Sequence, residues 1–330
     1  MRAARHRQSL TQVADLSFAR TLGVNEKAGL RILALGGSLR VAERVVLGFF
    51  TFAIIASVIV PLSLHQRLLL LGLNLVTGAL IIMAAKISKP SRLVQTIRDW
   101  SPAVLILVAY RESGLFFKPD PTHHLDYLLV RWDSMLLHNQ FAQALFSISA
   151  PWLQRYLELA YLLCYALVPL GFAALVFAPS VGEPSGLPYR FAIDHFWTTV
   201  LLATLTCYAL YPFLPLTPPR TFFHDLPGPA VEPLLRKANF WILDRYSVQA
   251  CIFPSGHVAA VTAVALVIRS YLPRLGVLFM AAGLSVAVAT VYGRYHYAAD
   301  AVAGALVGLA AFLVSRRIHR EERYVPAIVA

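Results

Sequence analysis

The chain has 330 residues, of which 58% are hydrophobic and 14% are charged, whereas soluble globular proteins have roughly 45–50% and roughly 25%. This composition excludes disordered and collagen-like chains, disfavours a soluble two-domain enzyme and indicates a polytopic membrane protein. The net charge of +12 would suggest a nucleic-acid partner in a soluble protein. Here the basic residues gather at the chain ends and in certain loops, where they act as topology signals, so no nucleic acid is expected as a partner.

The chain begins with a basic arm, residues 1–44, which is not a signal peptide. The arm holds many arginines, but no apolar core follows a short basic start and no small-residue cleavage site is present. We expect a partly helical cytoplasmic arm ahead of the first membrane span.

Eight apolar stretches after the arm approach the length of about 20 residues that a helix needs to cross a bilayer. They cover residues 46–64, 68–85, 103–117, 157–177, 195–214, 258–271, 275–292 and 299–314. Between the third and fourth spans, residues 118–152 mix Trp132, Met135 and Leu136 with polar side chains, a pattern that predicts an amphipathic helix at the membrane interface. The predicted fold class is therefore all-α, a polytopic integral membrane protein with about eight transmembrane helices.

Positive charge assigns the two sides of the membrane. Dense basic clusters occur in the arm, in the loop 86–98 and in the tail 316–330. An even number of spans places all three clusters on one side, and the positive-inside rule makes that side the cytoplasm. We therefore expect a multi-pass protein of the cell membrane with both termini in the cytoplasm.

The same assignment divides the chain into four segments and marks one unusual loop. The segments are the arm (1–44), two N-terminal transmembrane helices (45–99), a six-helix core (100–315) and a basic cytoplasmic tail (316–330). The outward loop after the fifth span still carries Arg220, Arg236, Lys237 and Arg245. Basic residues are usually sparse on that side, so an anionic ligand explains them better than topology does.

The sixth predicted span is preceded by Phe253-Pro254-Ser255-Gly256-His257. Proline suits the start of a helix, and Ser255 and Gly256 in the first turn offer backbone N–H groups to an anion. His257 gives or takes a proton near neutral pH. The stretch therefore predicts an anion site with a general acid–base at the outward end of this helix.

A second stretch, at the turn between the seventh and eighth spans, places His296 and Asp300 four positions apart. If a helix begins at or before His296, the two side chains share a face, and the carboxylate can fix the imidazole tautomer and stabilise positive charge on the ring. His296 is then a credible nucleophile toward phosphorus. Under the predicted topology His257 and His296 lie at outward helix ends, so we expect them to meet at one membrane face.

A third stretch, residues 211–220, ends the fifth span, and its prolines preclude a continuing helix. Arg220 is thereby delivered at the outer interface, where its planar guanidinium group fits phosphate oxygens. An anchor for topology or for lipid headgroups is the alternative role of this arginine.

Together these three stretches resemble the type 2 phosphatidic acid phosphatase superfamily. The second signature of that superfamily, Pro-Ser-Gly-His, is complete at residues 254–257, and the His-x-x-x-Asp end of the third signature is present at His296 and Asp300. The resemblance covers the third to the eighth predicted spans. It implies a six-helix phosphatase-type core, with no metal and no other cofactor.

The chain departs from the signatures in its phosphate-binding cations. The Ser-Arg pair of the third signature falls on Ala289 and Thr290, so the arginine that usually grips phosphate is absent, and Phe213 stands where the first signature has lysine. Arg294 or Arg245 is the expected substitute.

Two other stretches look similar to one branch of the superfamily, which contains the fungal inositol phosphorylceramide synthases and their bacterial relatives. These are the Pro-Pro-Arg ending at Arg220 and the run Arg131-Trp132-Asp133-Ser134-Met135-Leu136-Leu137 upstream of the fourth span. This likeness favours phosphotransfer slightly, while hydrolysis is the commoner reaction of the superfamily, so the acceptor stays open between water and an alcohol such as a lipid hydroxyl.

The resemblance also implies a mechanism. His296 attacks phosphorus while Asp300 orients it, a phosphohistidine forms, and His257 protonates the leaving alcohol before it activates the acceptor. The equatorial oxygens would be held by Arg220, Arg294 and the amides of Ser255 and Gly256. The expected substrate is a membrane lipid phosphoester, that is, a phospholipid, polyprenyl phosphate or sphingolipid phosphate.

Weaker interpretations stand beside this one. A non-enzymatic lipid carrier or flippase with a degenerate site is the alternative function.

His123-His124-x-Asp126 has the composition of a metal cluster, but adjacent histidines point apart on a helix, so a solvated loop is favoured. Gly304 and Gly308, four positions apart, predict close helix packing.

Overall fold

The computed structural model describes residues 39–118, 120, 122–147, 150–181, 187–214, 216–223, 233–248, 250 and 253–324. The predicted basic arm lies almost entirely outside the described residues, and so does the end of the tail, residues 325–330.

The described residues form helices and connecting segments, with no β-strand among them, which confirms the all-α fold class. The longer helices of this part of the chain are α1 Val41–Ile59, α2 Leu64–Lys86, α3 Arg92–Leu115, α4 His124–Ser147, α5 Pro151–Val176, α6 Leu187–Leu210, α7 Pro233–Tyr246, α8 Gly256–Tyr271, α9 Pro273–Tyr292 and α10 Ala298–Tyr324. A single helical turn, Pro219–Phe222, lies between α6 and α7.

Local sequence signals explain several of the helix starts. The Ser63 side chain accepts a hydrogen bond from the Gln66 amide while the Gln66 side chain accepts one from the Ser63 amide, a capping box that begins α2. Ser91 caps α3 in a similar way. Pro151 and Pro273 occupy first-turn positions of α5 and α9, where the missing N–H has no acceptor to lose.

Six segments of the described chain are long and apolar enough to cross a membrane, and they coincide with six of the eight predicted spans. They are Val41–Ile59, Leu64–Lys86, Pro151–Val176, Tyr189–Phe213, Pro273–Tyr292 and Ala298–Arg320. The chain is therefore a polytopic membrane protein.

The other two predicted spans are helical but do not meet the same criterion. α3 carries Arg98, Asp99, Arg111 and Glu112 along its length. α8 has 16 residues, which span about 24 Å at 1.5 Å per residue, less than a hydrocarbon core of about 30 Å. Six of the eight predicted spans therefore meet the criterion of length and composition.

The helix bounds also differ from the predicted segments. The boundaries expected at residues 44/45, 99/100 and 315/316 fall inside α1, α3 and α10, so they do not coincide with helix ends. The segment 118–152 contains the helix α4, and its end at Trp152 belongs to α5. The helix α7 has no counterpart among the predicted spans.

Helices α6 and α8 form the centre of the bundle, because their buried apolar side chains belong to one continuous core. Helix α10 packs closely against α8 at its glycines. A Cβ atom on Gly304 would lie 2.5 Å from the Ser255 carbonyl oxygen, and one on Gly308 would lie 2.6 Å from the Ala259 carbonyl oxygen. The predicted role of the two glycines in close packing is therefore confirmed.

Buried charged side chains link several helices at one end of the bundle. Arg98 of α3 donates two hydrogen bonds of 2.7 Å to the carboxylate of Glu43 in α1. Asp194 of α6 accepts from the backbone amides that begin α1, and Nε2 of His319, near the end of α10, lies 3.5 Å from its carboxylate. The start of α10 lies at the other end of the bundle, where the predicted site residues meet.

Candidate active site

The two histidine motifs converge as the sequence predicts. Nδ1 of His257, in the first turn of α8, lies 3.2 Å from Nε2 of His296, although the residues are 39 positions apart. The ring centroids are 5.4 Å apart. The facing nitrogens are within hydrogen-bond distance of each other, so both imidazoles can act on one small group that lies beside the pair.

Asp300 holds the second imidazole from behind. Its Oδ2 atom lies 2.5 Å from Nδ1 of His296, and Asp300 is fully buried. Because the carboxylate engages Nδ1, Nε2 is the nitrogen that His296 turns toward His257. This is the arrangement in which a carboxylate fixes the tautomer of a reactive histidine and stabilises its positive charge.

The backbone before α10 shapes this pair in a way that the sequence did not predict. The helix begins at Ala298, after His296 and not at or before it. The Thr290 carbonyl oxygen accepts hydrogen bonds from the amides of both Tyr295 and His296, at 2.8 Å and 3.0 Å. A short turn at the end of α9 therefore places His296 opposite Asp300 without a shared helical face.

The start of α8 is bonded to the start of α10. The Ser255 hydroxyl accepts from the Val258 amide as an N-cap, and the Ser255 amide donates to the Asp300 carbonyl oxygen at 3.2 Å. The expectation that the Ser255 amide is free for an anion is therefore wrong. Gly256, the first residue of α8, keeps the predicted position for a backbone donor to phosphate.

Arg220 and Arg294 come together through their backbones. The Arg220 amide, in the turn Pro219–Phe222, donates to the Arg294 carbonyl oxygen at 3.0 Å. Arg294 itself has a positive φ of 61°, in the loop that leads to His296. Arg220 is close enough to His257 and Tyr165 to interact with them electrostatically. Arg220 thus lies near His257, and its backbone is bonded to that of Arg294, two residues before His296.

Arg245, the other expected substitute for the missing signature arginine, faces elsewhere. Its guanidinium carbon lies 4.7 Å from the ring centroid of Trp241 on the exposed side of α7. One α7 residue, predicted only as one of the basic residues of the outward loop, does approach the site. Nη2 of Arg236 donates to the Gly293 carbonyl oxygen, next to Arg294, at 3.4 Å.

Two aspartates of α4 hold the loops that carry the site, and sequence reasoning missed both. Asp133 accepts hydrogen bonds from the amides of Ala298 and Ala299, at 2.9 Å and 2.8 Å, and so caps α10 from another helix. Burial raises the pKa of Asp133, and the two backbone hydrogen bonds partly offset this effect. Its only sequence signal was the run 131–137, noticed for its resemblance and not for this contact.

Asp126 holds the loop that carries Arg220. Its Oδ1 atom accepts from the Thr217 amide at 2.8 Å, and its Oδ2 atom lies 2.8 Å from Nδ1 of His123. Asp126 is 1% exposed, so the expectation of a solvated loop is wrong for this residue. Among the described residues no group of histidine, cysteine and acidic side chains is arranged to hold a metal ion.

Aromatic side chains of α5 cover the other side of His257. The ring centroids of Tyr161 and Tyr165 lie 6.0 Å and 5.6 Å from that of His257. Tyr161 also stacks on Tyr295, with centroids 3.7 Å apart. These rings exclude water from one side of the histidine pair, which strengthens electrostatic interactions there.

Comparison with known proteins identifies one family. The family model described as the PAP2 superfamily matches residues 128–314, more than half of the chain. Neither a curated protein nor a solved structure matches the chain.

Proposed function

The chain belongs to the PAP2 superfamily, and on that basis we propose that it cleaves a phosphoester of a membrane lipid through a phosphohistidine formed on His296. Members of this superfamily are typically phosphoesterases, which supports a general phosphatase activity. The observation that carries the proposal is the row His257–His296–Asp300, in which a buried carboxylate contacts Nδ1 of one imidazole and a second imidazole faces its Nε2 atom.

In the first step Nε2 of His296 donates its lone pair to phosphorus and forms a P–N bond. The P–O bond to the lipid alcohol breaks, and His257 in its protonated form gives a proton to the leaving oxygen. Asp300 stabilises the positive charge that develops on His296. Arg220, Arg294 and the Gly256 amide would hold the three equatorial oxygens, where charge accumulates.

In the second step His257, now neutral, takes a proton from the acceptor. The acceptor oxygen forms a bond to phosphorus, the P–N bond breaks, and His296 is regenerated. Water as the acceptor gives hydrolysis, and an alcohol gives transfer of the phosphoryl group, or of a substituted phosphoryl group, to that alcohol. The likeness of residues 131–137 and of the Pro-Pro-Arg ending to inositol phosphorylceramide synthases supports an alcohol such as a lipid hydroxyl as the second possibility.

The site would face the extracytoplasmic side of the cell membrane. Support comes from the positive-inside rule, which puts the basic ends of the chain in the cytoplasm. A single cysteine at exposed Thr221, in an otherwise cysteine-free variant, tests this orientation. A membrane-impermeant maleimide applied to whole cells should label it, and labelling only after permeabilisation would contradict the proposed side.

The activity is tested with purified full-length protein and a panel of lipids: phosphatidic acid, a polyprenyl phosphate, a sphingoid phosphate, and phosphatidylinositol with a ceramide acceptor. We expect phosphate release or a new phosphodiester with at least one of them, in the presence of EDTA as well. His296→Ala should abolish turnover, while His65→Ala, a substitution at an exposed histidine of α2, should leave it unchanged.

A labelled substrate identifies the intermediate directly. Brief reaction followed by alkaline quenching should leave label on the wild-type protein, and acid should remove it, because a phosphoramidate bond is labile to acid and stable to alkali. No label, or label that survives in His296→Ala, would contradict the phosphohistidine. Absence of turnover on every lipid, together with lipid movement between leaflets that His296→Ala leaves intact, would instead support a carrier.

A further inference from the structure

One position of the site lacks the charge that its signature would supply. Thr290 occupies the position of the signature arginine, is fully buried, and its hydroxyl donates to the Ala287 carbonyl oxygen at 2.7 Å. A transferring phosphoryl group nevertheless carries charge on three equatorial oxygens. The charge that stabilises it therefore has to come from other residues.

We infer that Arg236, anchored by Glu158, is a positioning residue that holds the loop 293–296 and presents Arg294 to the phosphoryl group in place of the missing arginine. This inference rests on the proposed function. It assigns a role in the site to α7 and α5, neither of which carries a signature residue.

The anchor is a buried carboxylate with three donors. Glu158 of α5 is 1% exposed and accepts from Arg236 Nη1 at 2.8 Å, from Asn239 Nδ2 at 2.7 Å and from the Tyr295 hydroxyl at 2.7 Å. Charge-assisted hydrogen bonds of this length are among the stronger ones in proteins. Glu158 thereby joins α5, α7 and the loop before α10 at one point.

The loop is held at two neighbouring residues. Arg236 donates to the Gly293 carbonyl oxygen, and its guanidinium carbon lies 5.8 Å from the ring centroid of Tyr295. Arg294 lies between these two contacts, and His296 follows Tyr295 directly. A displacement of Arg236 therefore reaches both the candidate phosphate ligand and the nucleophile.

The two guanidinium groups also act on each other. Burial and, next, the positive charge of Arg236 lower the pKa of Arg294 from its ordinary value. Two like charges kept near each other by a built network favour an anion beside them. Glu158 is paired with Arg236, so a phosphate group bound by Arg294 does not also have to neutralise Arg236.

Orthovanadate is the probe for this inference, since it adopts the five-coordinate geometry of a phosphoryl group in transfer and does not require the lipid to be known. Its affinity is measured on the purified full-length protein from the rise in the thermal midpoint with vanadate concentration. We compare Arg236→Gln and Arg236→Lys with Arg245→Gln, the matched control on the same helix, whose side chain packs on Trp241.

Arg236→Gln should weaken vanadate binding about 10²-fold, the size expected for a misplaced site, and Arg236→Lys should recover part of it. Arg245→Gln should stay within about twofold of wild type. Where a substrate is turned over, the loss in Arg236→Gln should fall mainly on kcat, because the presented contacts act in the transition state. If Arg236 were purely structural, its substitution would lower the thermal midpoint of unfolding without a loss that falls mainly on kcat.

A double substitution shows whether Arg236 affects vanadate binding by positioning Arg294 or independently of Arg294. If Arg236 acts through Arg294, Arg236→Lys should add little to the loss caused by Arg294→Gln. Multiplicative losses would overturn the inference, and so would vanadate affinity in Arg236→Lys equal to wild type. These variants keep a cation at residue 236, so the test does not depend on folding of Arg236→Gln.

The same assay distinguishes failure of the inference from failure of the proposed function. Loss of vanadate binding in His296→Ala with normal binding in the Arg236 variants overturns only the inference. Unchanged vanadate binding in His296→Ala overturns the proposed function as well.

Discussion

Gly304 of α10 lies against the backbone of Ser255, so that a Cβ atom added to the glycine would stand 2.5 Å from the Ser255 carbonyl oxygen. Ser255 precedes His257, and Gly304 follows Asp300 by one helical turn. The spacing between α8 and α10 is therefore set by direct contact between a glycine and a backbone.

Gly304→Ala tests this contact. The methyl group has to push α10 away from α8, and we expect a loss of activity of about tenfold or more with a destabilisation of about 1–3 kcal/mol. Activity and the free energy of unfolding are measured on the same preparation. Gly72→Ala is the control, because a Cβ at Gly72 meets nothing within 4 Å. Equal behaviour of the two variants would show that the helices tolerate a wider separation.

Asp300→Asn removes the negative charge behind His296 and keeps the size of the side chain. We expect kcat to fall by about 10²–10⁴-fold, because the amide neither favours the required tautomer nor stabilises the positive ring. KM should change little, since Asp300 lies on the far side of His296 from His257. Steady-state kinetics on the best lipid of the panel measure both parameters. A variant with full kcat would refute the assigned role of this carboxylate.

Asp133→Ala removes the cap that α4 provides to α10. Two backbone amides lose their acceptor, and we expect unfolding to become easier by about 1–2 kcal/mol together with a lower kcat. Ser134→Ala on the exposed side of the same helix is the control. Thermal unfolding and kinetics measured side by side decide the outcome. Destabilisation with unchanged kcat would mean that the cap supports the helix without influencing His296.

Glu43→Gln addresses the opposite end of the bundle. The substitution removes the negative charge that faces buried Arg98, and such changes typically cost about 3–5 kcal/mol. We expect a large fall in the free energy of unfolding. Activity per folded molecule should stay at the wild-type value, because Arg98 lies more than three turns along α3 from Tyr110, whose ring contacts that of Tyr208 beside Gly256. A specific activity reduced in proportion to stability would contradict this separation.

Sequence reasoning succeeded where the signal was local. The apolar runs predicted six spans that the structure confirms, because each run alone is long enough to require burial in lipid or protein. The short motifs around His257 and His296 predicted their meeting, since each motif marks the end of a helix and the predicted topology places both ends on one side. The role of each residue stays a prediction until it is measured.

Sequence reasoning failed where the contacts that position the site are polar and join residues far apart in the chain. The hydrogen bonds of Asp133 reach residues 165 and 166 positions away, and that of Arg236 reaches Gly293 across 57 positions. A single buried aspartate or arginine leaves no periodic pattern in the sequence, unlike an apolar helix face. The start of α10 at Ala298 was missed for the same reason, because its cap comes from α4 and not from the preceding residues.

The two aspartates of α4 decide how small a working piece of this chain can be. Asp126 belongs to the first turn of α4 and tethers the segment that ends in Arg220, while Asp133 tethers the segment that begins with His296. A recombinant fragment trimmed to start after Asp133 would keep both histidines, Asp300 and all their signatures. It would lose both carboxylates that fix the positions of those groups, so a minimal unit that keeps the site has to begin before Asp126.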